Sequence, residues 1–176
     1  KISVVVSGTD TERFFPSKTL SGSYRERHGL VGKFVVAYFG NLGRAQDLAP
    51  FLGAARIMEP DDDVRFVIMG EGALKKRLAE RISAEKNKNI QLIDVHGFNE
   101  MPAFYSLVDI GYIGLVDNPT FRRVLPGKTF EILAMGIPAA INLDGEAFKL
   151  LKKHRAGVHT RSASELVRFI IKLKNR

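Results

Sequence analysis

The 176-residue chain contains no cysteine and no tryptophan. Without thiols it can form no disulfide, hold no thiolate nucleophile and offer no sulfur ligand to a metal. Histidine is scarce, with four in all. His28, His154 and His159 read as surface residues, because no ligand set with metal spacing joins them, and no metal is expected. Asp61, Asp62 and Asp63 follow Pro60 and read as a turn, since a calcium loop needs a longer alternating pattern. No apolar run approaches the roughly 18 residues of a membrane span. The Gly-x-Gly-x-x-Gly fingerprint of dinucleotide folds is missing, as is the Gly-Lys-Ser/Thr of a P-loop.

What is present is ordinary for one soluble domain: 45% apolar residues, 26% charged residues and length enough for a sizeable core. The formal charge of +8 favours anionic partners. Much of it reads as solvation. In "LKKRLAERISAEKNKN" the cations mix with glutamates on a helix whose apolar side is Leu74, Leu78 and Ile82. Nucleic-acid modules add exposed aromatics or a fold signature, and neither is found, so no nucleic-acid partner is expected.

Continuous apolar runs of strand length recur at 2–6, 34–39, 64–69, 90–95, 110–115 and 138–142. Unbroken runs suit strands buried on both faces. Helical spacing lies between most of them, as in Leu48, Phe51, Leu52, Ala55 and Met58, with Pro50 tolerated in the first turn. Asn99 is expected to cap a helix over "NEMPAFYSLV". Ser162, three before Glu165, has capping-box spacing. Residues 7–33 read as one long irregular stretch. The alternation predicts an α/β fold, a Rossmann-like doubly wound parallel sheet of about six strands with helices on both faces. Ligands of such sheets bind beyond the carboxyl ends of the strands. There the chain places "GNLGRAQD", "GEG", "HGF", "VDNPTFRRVLPGKTFE" and "LDGEA", glycines and helix starts suited to an anion.

Five segments, taken in order, resemble the C-terminal half of GT-B glycosyltransferases of the retaining, group-1/family-4 type. They are "ISVVVSGTDTERFFP", "YFGNLGRAQDL", "VRFVIMGEGALKKRL", "NIQLIDVHGFNEMPAFYSLVDIGYIGL" and "LPGKTFEILAMGIPAAI". The resemblance covers nearly all of the chain. "GNLGRAQ" with "LPGKTFE" is most similar to bacterial transferases that build O-antigen and capsule. The resemblance implies that residues 1–176 form the domain binding the nucleotide-sugar donor, a UDP-sugar or a GDP-sugar, with no cofactor. It further implies a separate N-terminal domain, absent from this chain, for a lipid-linked or glycan acceptor. The full enzyme would transfer a sugar with retention, in the cytoplasm or peripherally on the inner membrane face. Residues 1–176 alone would be inactive.

The roles implied are these. Glu131 takes the donor ribose hydroxyls. The backbone around Pro126, Gly127 and Lys128 meets the diphosphate, and Lys128 adds a charge. His96, Gly97 and Phe98 lie near the base, and Gly40 allows close approach to the phosphates. Four positions depart from the family pattern. Many relatives carry Arg where Asn41 stands and Lys-Gly where Gln46 and Asp47 stand. They also carry a second glutamate where Arg123 stands. Arg44 is then the expected substitute cation, and Arg122, Arg123 and Lys128 could form a basic clamp. Glu146, which opens a helix after Gly145, could face the donor sugar. No catalytic residue is named. Two other classes stay open: a nucleotide-sugar epimerase half of similar architecture, and a non-catalytic flavodoxin-like binding or signalling module.

Overall fold

A computed structural model describes residue 3 and residues 7–176. The strand expected at 2–6 falls outside the described residues, residue 3 apart. The elements run α1 (Lys18–Arg27), β1 (Phe34–Phe39), α2 (Ala49–Ile57), β2 (Val64–Met69), α3 (Lys75–Ala84), β3 (Ile90–Ile93), α4 (Met101–Tyr105), β4 (Ile110–Ile113), α5 (Gly127–Ala134), β5 (Ala139–Ile141), α6 (Glu146–Lys153), β6 (Gly157–His159) and α7 (Ala163–Lys174). All five pairings are parallel, in the order β3-β2-β1-β4-β5-β6. The order reverses at β1, so the chain winds outward to β3 and then outward again from β4 to β6.

The strand runs alternate between two cores, as period-2 side chains must. Val35, Ala37 and Phe39 of β1 join one core with Phe104, Ile132 and Leu151 from α4, α5 and α6. Val36 and Tyr38 join the other with Phe51, Leu78 and Ile170 from α2, α3 and α7. Helices of the β1-to-β3 branch thus cover one face. Those from β3 to β6 cover the opposite face, as right-handed crossovers require when the winding direction reverses. The expected apolar side of α3 is observed: Leu78 is buried, and Leu74 and Ile82 pack against the same core. Ser162 caps α7, accepting from Glu165 N at 3.2 Å, while the Glu165 carboxylate accepts from Arg161 N at 2.6 Å.

Three expectations need correction. The stretch 7–33 contains α1, capped by Ser17, a helix with no buried residue and so no apolar stripe to betray it. Gly157–His159 forms the edge strand β6, only half-buried and too short to show as a run. Asn99 is not a cap; it lies inside a 3-10 turn, Phe98–Glu100, that leads into α4, and its side chain accepts from Arg13 at 3.0 Å.

α1 is held by Tyr24, which packs edge-on against Phe104 at 5.2 Å, and by Arg25. The Arg25 guanidinium donates to Lys33 O at 2.6 Å, to Leu107 O at 2.6 Å and to Asp109 Oδ2 at 3.0 Å. The same Asp109 oxygen accepts from Val35 N at 2.7 Å, and Asp109 N donates to Val35 O at 2.8 Å. Asp109 therefore clamps β4 to β1 at the amino edge. Arg25→Ala removes charge-assisted bonds of a class worth about 1.5–3 kcal/mol and is expected to lower stability by that order. Asp109→Ala should cost more, because it strands the Val35 N–H and takes from the guanidinium its carboxylate partner. Urea denaturation of both single variants and the double should give a double-variant cost smaller than the sum; strict additivity would refute the clamp.

Candidate functional site

The carboxyl edge of β1 ends in Gly40, with φ +135, a conformation that favours glycine. The loop that follows is tied down at several points. The Tyr38 hydroxyl donates to Asn41 O at 2.5 Å and lies 2.9 Å from Gln46 Oε1. Val116 N donates to Ala45 O at 3.0 Å. Asp47 accepts from Ala49 N at 2.9 Å and from Asn142 Nδ2 at 2.8 Å. Residues 40–47 thus lie across the reversal of strand order, fastened to the ends of β4 and β5.

α5 points its amino end at this loop. Pro126 occupies the N-cap position and no side chain caps the helix. Thr129 N donates back to Pro126 O at 2.9 Å. The amides of Gly127 and Lys128 belong to the first turn, which has no intrahelical acceptor. Gly127 is exposed, with open space where a Cβ would stand. The Lys128 side chain runs back to β1: its Nζ sits 3.8 Å from the centre of the Tyr38 ring and 2.8 Å from where a Gly40 Cβ would be.

One turn further along α5, Glu131 Oε2 accepts from the Tyr105 hydroxyl at 2.6 Å. Tyr105 is 3% exposed and packs against Phe39 and Phe14, with centroids 5.2 and 6.0 Å away. Burial, then the Glu131 charge, push its hydroxyl well above the ordinary phenol range, so it remains a donor. Phe14 also meets Phe98 at 5.7 Å, and the Arg13 guanidinium lies over the Phe98 ring at 5.0 Å. His96 packs on Phe104 at 4.5 Å and pairs through Nδ1 with Glu100 Oε2 at 3.2 Å. Gly97 starts the 3-10 turn and is open on its Cβ side. A cleft of about 360 Å³ runs along this edge, lined by Gly40, Asn41, Met69, Gly70, Glu71, Val95 and Met101.

The structure therefore joins Gly40, Lys128 and Glu131 around the start of α5, and links His96 and Phe98 to them through Phe104, Phe14 and Tyr105. Arg44 is exposed within the β1 loop and makes no ion pair among the described residues. Arg123 stands apart. It is exposed and lines a different cleft with Arg122, Gly145 and Glu146. Arg122 is engaged by Asp117 through two bonds of 2.7 and 2.8 Å. Glu146 accepts from Lys149 at 2.7 Å. His28 and His159 are not the surface residues expected. His28 is half-buried against Phe104, and His159 lies 3.1 Å from Asn142 O beside Phe148. Tyr38 and Tyr105 escaped sequence reading because each sits inside an apolar run.

The profile of the family described as Glycosyl transferases group 1 matches residues 33–175. The Escherichia coli (strain K12) protein WcaI, whose name assigns it to colanic acid glycosyl transfer, is 29% identical over 112 residues. That is 64% of this chain and 27% of the relative. Among solved structures, the C-terminal domain of a group 1 glycosyl transferase (LpcC) from Francisella tularensis superposes with a TM-score of 0.73 at 19% identity, over 96% of this chain and 89% of that one. Anabaena HepE, determined with UDP-glucose, superposes with a TM-score of 0.76 at 17% identity, over 97% of this chain and 47% of its own. The chain thus spans about half the length of HepE and matches just over a quarter of WcaI.

Lys128 makes no ion pair among the described residues. Burial pushes its ammonium down to about 7, opposed only by the Glu131 charge. The cation–π contact with Tyr38 returns part of that cost, of the order of 0.5–2 kcal/mol. In the unfolded chain the amine has the usual lysine pKa of about 10.4. Below pH 7 it is charged in both states and the burial penalty is fully present. Between about 7 and 10 the unfolded chain binds the proton that the native state has released, so the penalty fades as pH rises. Lys128→Met, which fills similar space without charge, should make the free protein more stable at pH 6, with the gain shrinking toward pH 10. Denaturant titrations at pH 6, 8 and 10 check this; a variant less stable at pH 6, or a difference independent of pH, would contradict it.

Proposed function

The chain belongs to the group 1 glycosyl transferases, and from that premise we propose that it is the half of such an enzyme that binds the nucleotide-sugar donor. The observation that carries the reading is the meeting of Lys128 with Gly40 at the uncapped start of α5. An amine whose charged form burial disfavours, and that makes no ion pair among the described residues, gains most from an arriving anion. First-turn amides and the helix dipole add to the same end. Glu131, one turn away, supplies a carboxylate suited to a vicinal diol. A diphosphate at Lys128 with its ribose at Glu131 satisfies both groups.

On this reading the base lies along the cleft beside Gly40, Glu71 and Val95, near His96, Gly97 and Phe98. The donor is a UDP-sugar or a GDP-sugar. HepE, whose structures hold UDP-glucose and UDP, supports the first. The acceptor, lipid-linked or glycan, is met by a separate N-terminal domain, and the product belongs to cell-surface polysaccharide of the O-antigen or capsule kind. The colanic acid assignment of WcaI supports that setting. Within this domain the chemical contribution is electrostatic: Lys128 and the α5 amides offset charge developing on the departing diphosphate. Arg44 can swing to the same phosphates from its loop, whereas Arg123 serves the neighbouring cleft. Residues 1–176 alone are expected to transfer no sugar.

Calorimetry with UDP, GDP and ADP tests the reading. One of the first two should bind, and at a hundredfold excess over its dissociation constant should stabilise the fold by about 2.7 kcal/mol, a shift of several degrees in melting temperature. Glu131→Ala should weaken binding about tenfold or more, the value of one charged hydrogen bond. Lys128→Ala should lose affinity for the diphosphate more than for the nucleoside, and its effect should shrink at high salt. If both variants bind like the parent, the site lies elsewhere.

A further inference from the structure

A carboxylate has two oxygens and about four acceptor positions, and its direction decides which partners it can serve. Glu131 is half-buried, and among the described residues its carboxylate receives one hydrogen bond, from Tyr105 to Oε2 at 2.6 Å. Oε1 is left free. The donor is a ring packed against Phe39, Phe14 and the surrounding core. Tyr105 is the last residue of α4, whereas Glu131 is inside α5, so the bond joins the helix that follows the base-side loop to the helix that begins at Lys128. A buried phenol needs an acceptor, but it could have found a backbone carbonyl. Here it uses the side chain whose orientation the site depends on.

The geometry points to Tyr105 as a positioning residue that, on the ribose reading of Glu131 given above, holds the carboxylate by Oε2 so that Oε1 faces the donor's vicinal hydroxyls. Tyr105 touches no part of the donor. It acts by removing the rotational freedom that a glutamate on a helix surface would otherwise keep, and by occupying the oxygen that faces the core. Its influence is therefore confined to ribose recognition. The diphosphate contacts at Gly127 and Lys128 lie on the first turn of α5 and do not pass through it.

That confinement separates positioning from plain core packing. The parent chain, Tyr105→Phe and Glu131→Ala are titrated with UDP and GDP, with the 2′,3′-dideoxy form of each, and with inorganic pyrophosphate. The phenylalanine variant keeps the ring and loses only the hydroxyl. It should bind the ribonucleotide about tenfold more weakly, the value of a charged hydrogen bond. Affinities for the dideoxy nucleotide and for pyrophosphate should stay within about twofold, so that the preference for ribose collapses toward that of Glu131→Ala. Equal weakening of all three ligands would mean that Tyr105 only supports the fold, and would overturn its role. So would an intact ribose preference in Tyr105→Phe alongside its loss in Glu131→Ala. A parent that shows no ribose preference, or a Glu131→Ala variant that keeps it, would remove the ribose assignment itself and the role of Tyr105 with it.

Discussion

Asp109 binds β1 to β4 at the place where the sheet reverses direction, through its own backbone and through its carboxylate. The pairing it supports is short: Val36 faces Ile110 and Ala37 faces Gly111, while β1 meets β2 along all six of its residues. Beyond that short ladder the two strands hand over to loops, and the loop after β1 lies across the gap. A crevice at the reversal point is a property of any doubly wound sheet. In this chain its amino end is closed by a carboxylate and by the Arg25 guanidinium reaching in from α1. Its carboxyl end is left to Gly40, the tethered loop and the start of α5. The first feature fastens β1 to β4; the second is the proposed ligand site. Both follow from which side of one strand pair is fastened.

The groups at the carboxyl end are placed against the grain of stability. Lys128 sits where burial lowers its proton affinity, and Tyr105 holds the carboxylate of Glu131 half out of water. Most of the +8 charge is elsewhere, on exposed side chains where cations cost little. Lys174 shows the contrast: it is answered by Asp61 at 2.7 Å and by Asp63 at 3.6 Å, and its pKa rises. Other cations meet backbone carbonyls, as Lys33 and Arg65 do at Asp62 O, or a ring face, as Arg27 does over Tyr24. Lys128 meets a ring face and a glycine. An unanswered cation at the open end of a helix is understood most simply as waiting for an anion, which is why the functional reading rests on it.

The sequence made the central strands legible because burial on both faces makes them nearly continuous apolar runs, with Arg65 as a charge within β2. It failed where burial is partial. β6 is three half-buried residues at the sheet edge, and α1 has no buried residue, so neither leaves a pattern. Site residues divided in the same way. Lys128 and Glu131 stood out as charges at the head of an apolar segment. Tyr38 and Tyr105 did not, because a tyrosine within "FVVAYF" or "MPAFYSLV" looks like core until its hydroxyl is given a partner. Tyr38 is found beside Gln46 and under Lys128, and Tyr105 beside Glu131. Those partnerships are between residues 8, 90 and 26 positions apart, and no local pattern encodes them.

The loop after β1 acquires a physical meaning in the same way. After its first glycine come Asn41, Gln46 and Asp47, and the loop is bound to its surroundings at these three positions. Asn41 receives the Tyr38 hydroxyl on its backbone oxygen, Gln46 sits beside that hydroxyl, and Asp47 joins α2 to β5 through Ala49 and Asn142. A cation here would have brought charge on a flexible stem. The residues present bring a fixed backbone instead. A fixed backbone beside Gly40 can approach a phosphate closely, but it supplies little charge of its own. On the donor-binding reading, charge neutralisation falls to Lys128 and to the amides of α5, with Arg44 exposed in the loop nearby. In this variant of the fold, geometry is assigned to the β1 loop and charge to the α5 helix. Tyr38 serves both, with its hydroxyl on the loop and its ring under the lysine.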